Sequence, residues 1–76
     1  MLTWADRAIL DLERTWWREP GPKEWLINDR LGVDATSYYR RLGELIWDHA
    51  AEDYDPLTVR RLRRLVAPDR PAAGSS

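Results

Sequence analysis

Leu31-Gly32-Val33-Asp34-Ala35-Thr36-Ser37-Tyr38-Tyr39-Arg40-Arg41-Leu42 reads as the turn and second helix of a helix-turn-helix. Glycine enters the left-handed region without the steric penalty of a side chain, so Gly32 is placed to end the preceding helix. Asp34 has the short polar side chain that suits a helix N-cap. Upstream, Lys23 to Leu31 predicts a helix with Pro22 at its first position, where a missing amide is harmless. Downstream, Tyr38, Leu42, Leu45, Ile46 and His49 fall on one stripe and predict a helix over 34–49 that frays around Ala50 to Asp53. Ile27, Leu31, Val33, Tyr38 and Leu42 then occupy the positions that pack the two helices together.

Outside this unit the chain is also helical in pattern. Thr3 followed by Asp6 has the spacing of a capping box. Ala5, Ala8, Ile9, Leu12 and Trp16 follow at intervals of three and four, predicting an amphipathic helix that stops near Glu19, before Pro20-Gly21-Pro22. Asp55-Pro56 repeats the cap-then-proline signal and opens a last helix to about Val66, with Val59, Leu62, Leu65 and Val66 as its apolar face. The expected fold is all-α, a small bundle of about four helices containing a helix-turn-helix. Residues 1–67 form one domain, and 68–76, rich in Pro, Ala, Gly and Ser, read as a disordered tail.

Seventy-six residues without cysteine allow one small core with neither a disulfide framework nor a thiolate metal site. No segment approaches the roughly 20 apolar residues that span a bilayer, and the start of the chain lacks a basic region before an apolar run. The reading is a cytoplasmic protein with no membrane partner. Twelve basic and thirteen acidic side chains give a net charge of −1, so attraction to a polyanion must come from charge placement. From Pro56 to Arg70 there are five arginines and one acid, whereas from Glu44 to Asp55 there are five acids.

The Gly-Val-Asp-Ala-Thr-Ser-Tyr-Tyr-Arg-Arg-Leu string resembles the recognition-helix segment of resolvase, invertase and sigma-factor region-four domains over about Lys23 to Ile46. It departs from that pattern at Asn28, where a small residue is usual, at Tyr38, which replaces a branched aliphatic side chain, and at Arg41, where many such motifs bury an apolar group. Ile9-Leu10-Asp11-Leu12-Glu13-Arg14-Thr15-Trp16-Trp17, Lys23-Glu24, Ser37-Tyr38-Tyr39 and Val59-Arg60-Arg61-Leu62-Arg63-Arg64-Leu65 resemble an uncharacterised family of short helical proteins of actinobacteria and their phages. That second resemblance implies a helical fold and an origin, and no activity.

The expectation is a transcriptional regulator that binds double-stranded DNA and offers Ala35, Thr36, Ser37, Tyr39, Arg40 and Arg41 to the major groove. Arg40 leads this set, because a guanidinium can donate two hydrogen bonds to guanine O6 and N7. Arg60, Arg61, Arg63 and Arg64 would hold phosphates, or else pair with Glu44, Asp48, Glu52, Asp53 and Asp55 and close the last helix onto the third. One reader helix supplies limited affinity, which favours a homodimer. The alternative is an adaptor that presents Trp4, Trp17 and Trp25 and the acidic segment to a host transcription protein.

Of the five tryptophans, Trp16 and Trp47 fit core stripes or their margins. Burial explains most of the set, because a small core needs large side chains. His49 is the single histidine, too few nitrogen ligands for zinc. With no nucleophile elbow or phosphate-cradling glycine loop, the sequence is read as non-enzymatic, with no catalytic residue, metal or cofactor.

Overall fold

The computed structural model describes residues 1–66; the tail expected at 68–76 lies outside the described residues. The capping box forms: the Asp6 amide donates to Thr3 Oγ1 at 3.0 Å and the Thr3 amide to Asp6 Oδ2 at 3.1 Å. It starts helix α1, Trp4–Thr15. A 3-10 turn, Trp16–Arg18, follows, so the α-helix itself ends earlier than the proline pair required. Helix α2, Lys23–Leu31, has Pro22 at its N-cap, one position before the expected one. Gly32 closes it at φ 69° and donates its amide to the Asn28 carbonyl at 2.9 Å.

Helix α3 spans Ala35–Leu45, and the single helix expected over 34–49 is corrected to two. Asp48 starts a separate helix α4, His49–Tyr54, by accepting the Ala50 amide at 2.8 Å. His49 is exposed, whereas the apolar residues of that stripe, Tyr38, Leu42, Leu45 and Ile46, are buried and are joined in the core by Ala51. Helix α5, Pro56–Val66, begins as the sequence indicates, with Asp55 Oδ1 accepting the Thr58 amide at 3.3 Å. All described elements are helical, with five α-helices in place of about four. Among the described residues no helix is long and apolar enough to cross a membrane.

Helix α1 lies at the centre, packed against each of the other four α-helices. That position explains why its apolar face is wider than a single stripe. Ile9, Leu10 and Leu12 are buried, whereas Ala5 is exposed. They meet Leu26 and Ile27 from α2, Tyr38, Leu42, Leu45 and Ile46 from α3 and its end, and Ala51, Val59 and Leu62 from α4 and α5. Leu31 and Val33 are partly buried against this core. Leu65 and Val66 are not covered, at 71% and 64% exposure.

The three departures at Asn28, Tyr38 and Arg41 each have a physical resolution. Asn28 is exposed, so it does not hold the helices apart. Tyr38 is buried and donates its hydroxyl to Glu13 Oε2, which gives its polar end a partner inside the core. Arg41 reaches back to α1 and grips Asp6 with two nitrogens, Nε to Oδ1 and Nη2 to Oδ2, both at 2.8 Å.

Candidate nucleic-acid interface

The three residues Gly32, Val33 and Asp34 turn the chain from α2 into α3. Asp34 stands at the N-cap position with extended backbone (φ −81°, ψ 163°) but closes no side-chain cap bond. The Ser37 side chain, foremost, and the Arg40 charge hold its carboxyl below the ordinary range. Thr36, Ser37 and Arg40 are exposed on this first half of α3, and Ala35 is half-buried. Residues 36, 37 and 40 share one side of a helix by the 3.6-residue repeat.

Tyr39 and Arg41 do not join that group. The Tyr39 ring sits edge-on to Tyr38, centroids 5.1 Å apart, and lies 5.1 Å from the Lys23 ammonium. Arg41 is committed to Asp6 and, through Nη1, to Glu44 Oε1 at 2.8 Å. This fork pulls the Asp6 carboxyl down to about 2, with the Arg41 hydrogen bonds the first cause and the Thr3 backbone bond another. The same carboxylates hold the Arg41 guanidinium charged.

Most other arginines are also engaged. Arg14 pairs with Asp11 at 3.3 Å and lies 3.8 Å from Asp55, and Arg30 pairs with Glu19 at 2.6 Å. In α5, Arg60 and Arg63 both reach Glu52, at 3.3 and 3.2 Å, and hold its carboxyl below the ordinary range, Arg60 foremost. Arg63 also donates to the Ile46 carbonyl freed where α3 ends, and covers the Trp47 ring at 5.3 Å. Arg61 donates to the Glu13 carbonyl at 3.0 Å. The structure thus uses three of the four α5 arginines to close that helix onto its neighbours, through Glu52 alone of the acidic run. Arg64 is exposed. Arg40 and Arg64 have no ion-pair or hydrogen-bond partner among the described residues.

Trp4, Trp17, Trp25 and Trp47 are all exposed, between 56% and 75%, which corrects the expectation that burial explains most of the set; only Trp16 is half-buried against the core. The exposed rings do not form one patch. Trp17 donates its indole N–H to the Arg14 carbonyl at 3.0 Å and borders an apolar groove, Trp4 borders a separate small hollow with Leu31 and Val33, and Trp25 lies beside Gly21.

A second buried polar cluster had no sequence signal beyond residue type. Glu13, 2% exposed on its side chain, accepts from Tyr38 and is paired with Lys23 Nζ at 2.8 Å. The Lys23 ammonium also faces the rings of Trp16, Tyr38 and Tyr39 at 5.1, 5.9 and 5.1 Å. Burial first, and the Glu13 carboxylate second, raise the Tyr38 hydroxyl above its usual range. Among the described residues no group of three His, Cys, Asp or Glu is placed to hold a metal ion.

The geometry defines a small all-helical protein with a polar, arginine-bearing helix face and no metal cluster among its described residues. The chain belongs to the DUF3263 family, described as a protein of unknown function, whose profile matches residues 1–72. No curated protein and no solved structure matches it.

Proposed function

We propose that the protein is a helix-turn-helix binder of double-stranded DNA, a transcriptional regulator that lays the first half of α3 in the major groove. The observation that carries this reading is Arg40: exposed, beside Thr36 and Ser37, and in no hydrogen bond or salt bridge among the described residues. The three-residue turn Gly32-Val33-Asp34 and the likeness of 23–46 to resolvase, invertase and sigma region-four segments support it. Arg40 donates to a guanine edge, the Thr36 and Ser37 hydroxyls contact bases or phosphates, and Arg64 adds a phosphate contact. Two copies on adjacent half-sites supply the affinity that one small domain lacks.

Fluorescence anisotropy with fragments of the source genome tests this reading. Arg40→Ala should reduce discrimination by about 1 to 3 kcal/mol, roughly 5- to 150-fold. Arg64→Ala should weaken all sequences alike and flatten the salt slope by about 0.9. Selective binding that survives Arg40→Ala at full strength refutes the assignment of α3 as the reader.

A further inference from the structure

On another side of α3 lies a groove of about 440 Å³, walled by α3, α5 and the end of α1. Its apolar surface comes from Trp16, Trp17, Tyr39, Leu42, Ile46 and Leu65. Leu65 and Val66 continue the apolar face of α5 past the point where the core ends, and stay 71% and 64% exposed. Gly43 forms part of the lining, and a Cβ built there would meet nothing within 4 Å. Glycine inside a helix is destabilising relative to alanine, so an open glycine floor retains space that the isolated fold would gain by filling.

We propose that this groove docks an amphipathic helix of a partner protein, with apolar side chains inward and carboxylates along its flanks. The rim decides the charge. Arg61 lines the groove and Arg18 lies 4.9 Å over the Trp17 ring, whereas the other two charges of the lining, Lys23 and Glu13, are paired with each other at 2.8 Å and cancel. The rim is therefore net positive and selects an acidic helix. Two copies of this chain apposed groove to groove would face Arg18 and Arg61 against their equals. The chain's own continuation, Ala67 to Ser76, has no apolar side chain larger than proline and does not supply anchors for such a groove.

The test uses the full chain and a fluorescein-labelled helical peptide of roughly 16 residues, long enough to be helical in water. Leucines at i, i+3, i+4 and i+7 carry the apolar face, four glutamates its flanks and alanines the remainder, so that like charges do not unwind the helix; a second peptide has lysine in place of glutamate. The acidic peptide should bind at least about tenfold tighter than the basic one. Leu65→Asp, at an exposed position that leaves the core intact, should weaken it about tenfold or more. Gly43→Leu should block it while circular dichroism and melting temperature show a folded chain. Equal binding of both peptides, or binding indifferent to Leu65→Asp and Gly43→Leu, overturns the proposal. Sedimentation showing a dimer abolished by Leu65→Asp also overturns it, by making a second copy the occupant.

Discussion

Acid should destabilise this protein in part through Asp6. Its carboxylate is 3% exposed, accepts the Thr3 amide and holds both arms of the Arg41 fork. In the folded chain it titrates at about 2, against 3.8 for the free side chain. A depressed folded value means stability that is fully present above about pH 4 and is lost as pH falls towards 2. At 1.36 kcal/mol per unit the contribution is about 2 kcal/mol, a large share of the roughly 4 to 11 kcal/mol expected for a domain of this length. Asp6→Asn keeps an acceptor for Thr3 but removes the charge that Arg41 grips. Urea unfolding followed by tryptophan fluorescence at pH 7, 4 and 2.5 should show wild type losing about 1.4 kcal/mol more than the variant over the lower interval, the remainder going below pH 2.5. Glu52 and Asp34 also titrate low, but they are common to both proteins and cancel in the difference. Parallel acid profiles for wild type and Asp6→Asn would refute the coupling between the α1 cap and α3.

Lys23→Met leaves the Glu13 carboxylate buried with only the Tyr38 hydroxyl, and should cost about 3 kcal/mol in urea unfolding. The double variant Glu13→Gln/Lys23→Met should recover part of that loss, because no unpaired charge remains; no recovery would mean that the lysine acts through packing alone. Gly43→Ala should raise stability by about 0.5 to 1 kcal/mol, since its Cβ points into open space and alanine is the better helix former. A lower melting temperature would show the groove floor to be closed in solution.

The signals that worked in the sequence were local and chemical. Thr3, Pro22, Gly32 and Asp55-Pro56 mark helix ends by capping and backbone geometry, and all lie within one residue of observed boundaries. The break between α3 and α4 was missed because apolar spacing continues across it and no Gly or Pro stands there; Asp48, an N-cap residue type, was the available sign. Tertiary placement was less legible. Periodicity cannot say that α1 is covered on several sides, so Leu10 joined the core and Ala5 left it. At the site, Arg40 and Arg41 are indistinguishable by residue type, and only the position of Asp6 across the fold separates the engaged arginine from the unpartnered one. The exposed tryptophans follow from the same limit, since five short helices do not have enough interior for five indoles.

The proposed DNA face and the proposed groove share α3, and that geometry couples them. Arg40 directly follows Tyr39 and lies about one turn from Gly43, both of which line the groove, so an acidic helix seated there brings carboxylates towards the arginine that reads DNA. Both ligands are anionic, and the spacing lies within the Debye length of about 8 Å at physiological salt. Each should therefore weaken the other, by equal factors, because linkage between two bound states is reciprocal. Anisotropy of the labelled peptide with and without saturating DNA, and of labelled DNA with and without peptide, should give matching losses that shrink as salt rises. Coupling that strengthens with salt, or that is positive, would place the two ligands on surfaces other than these adjoining faces of one helix.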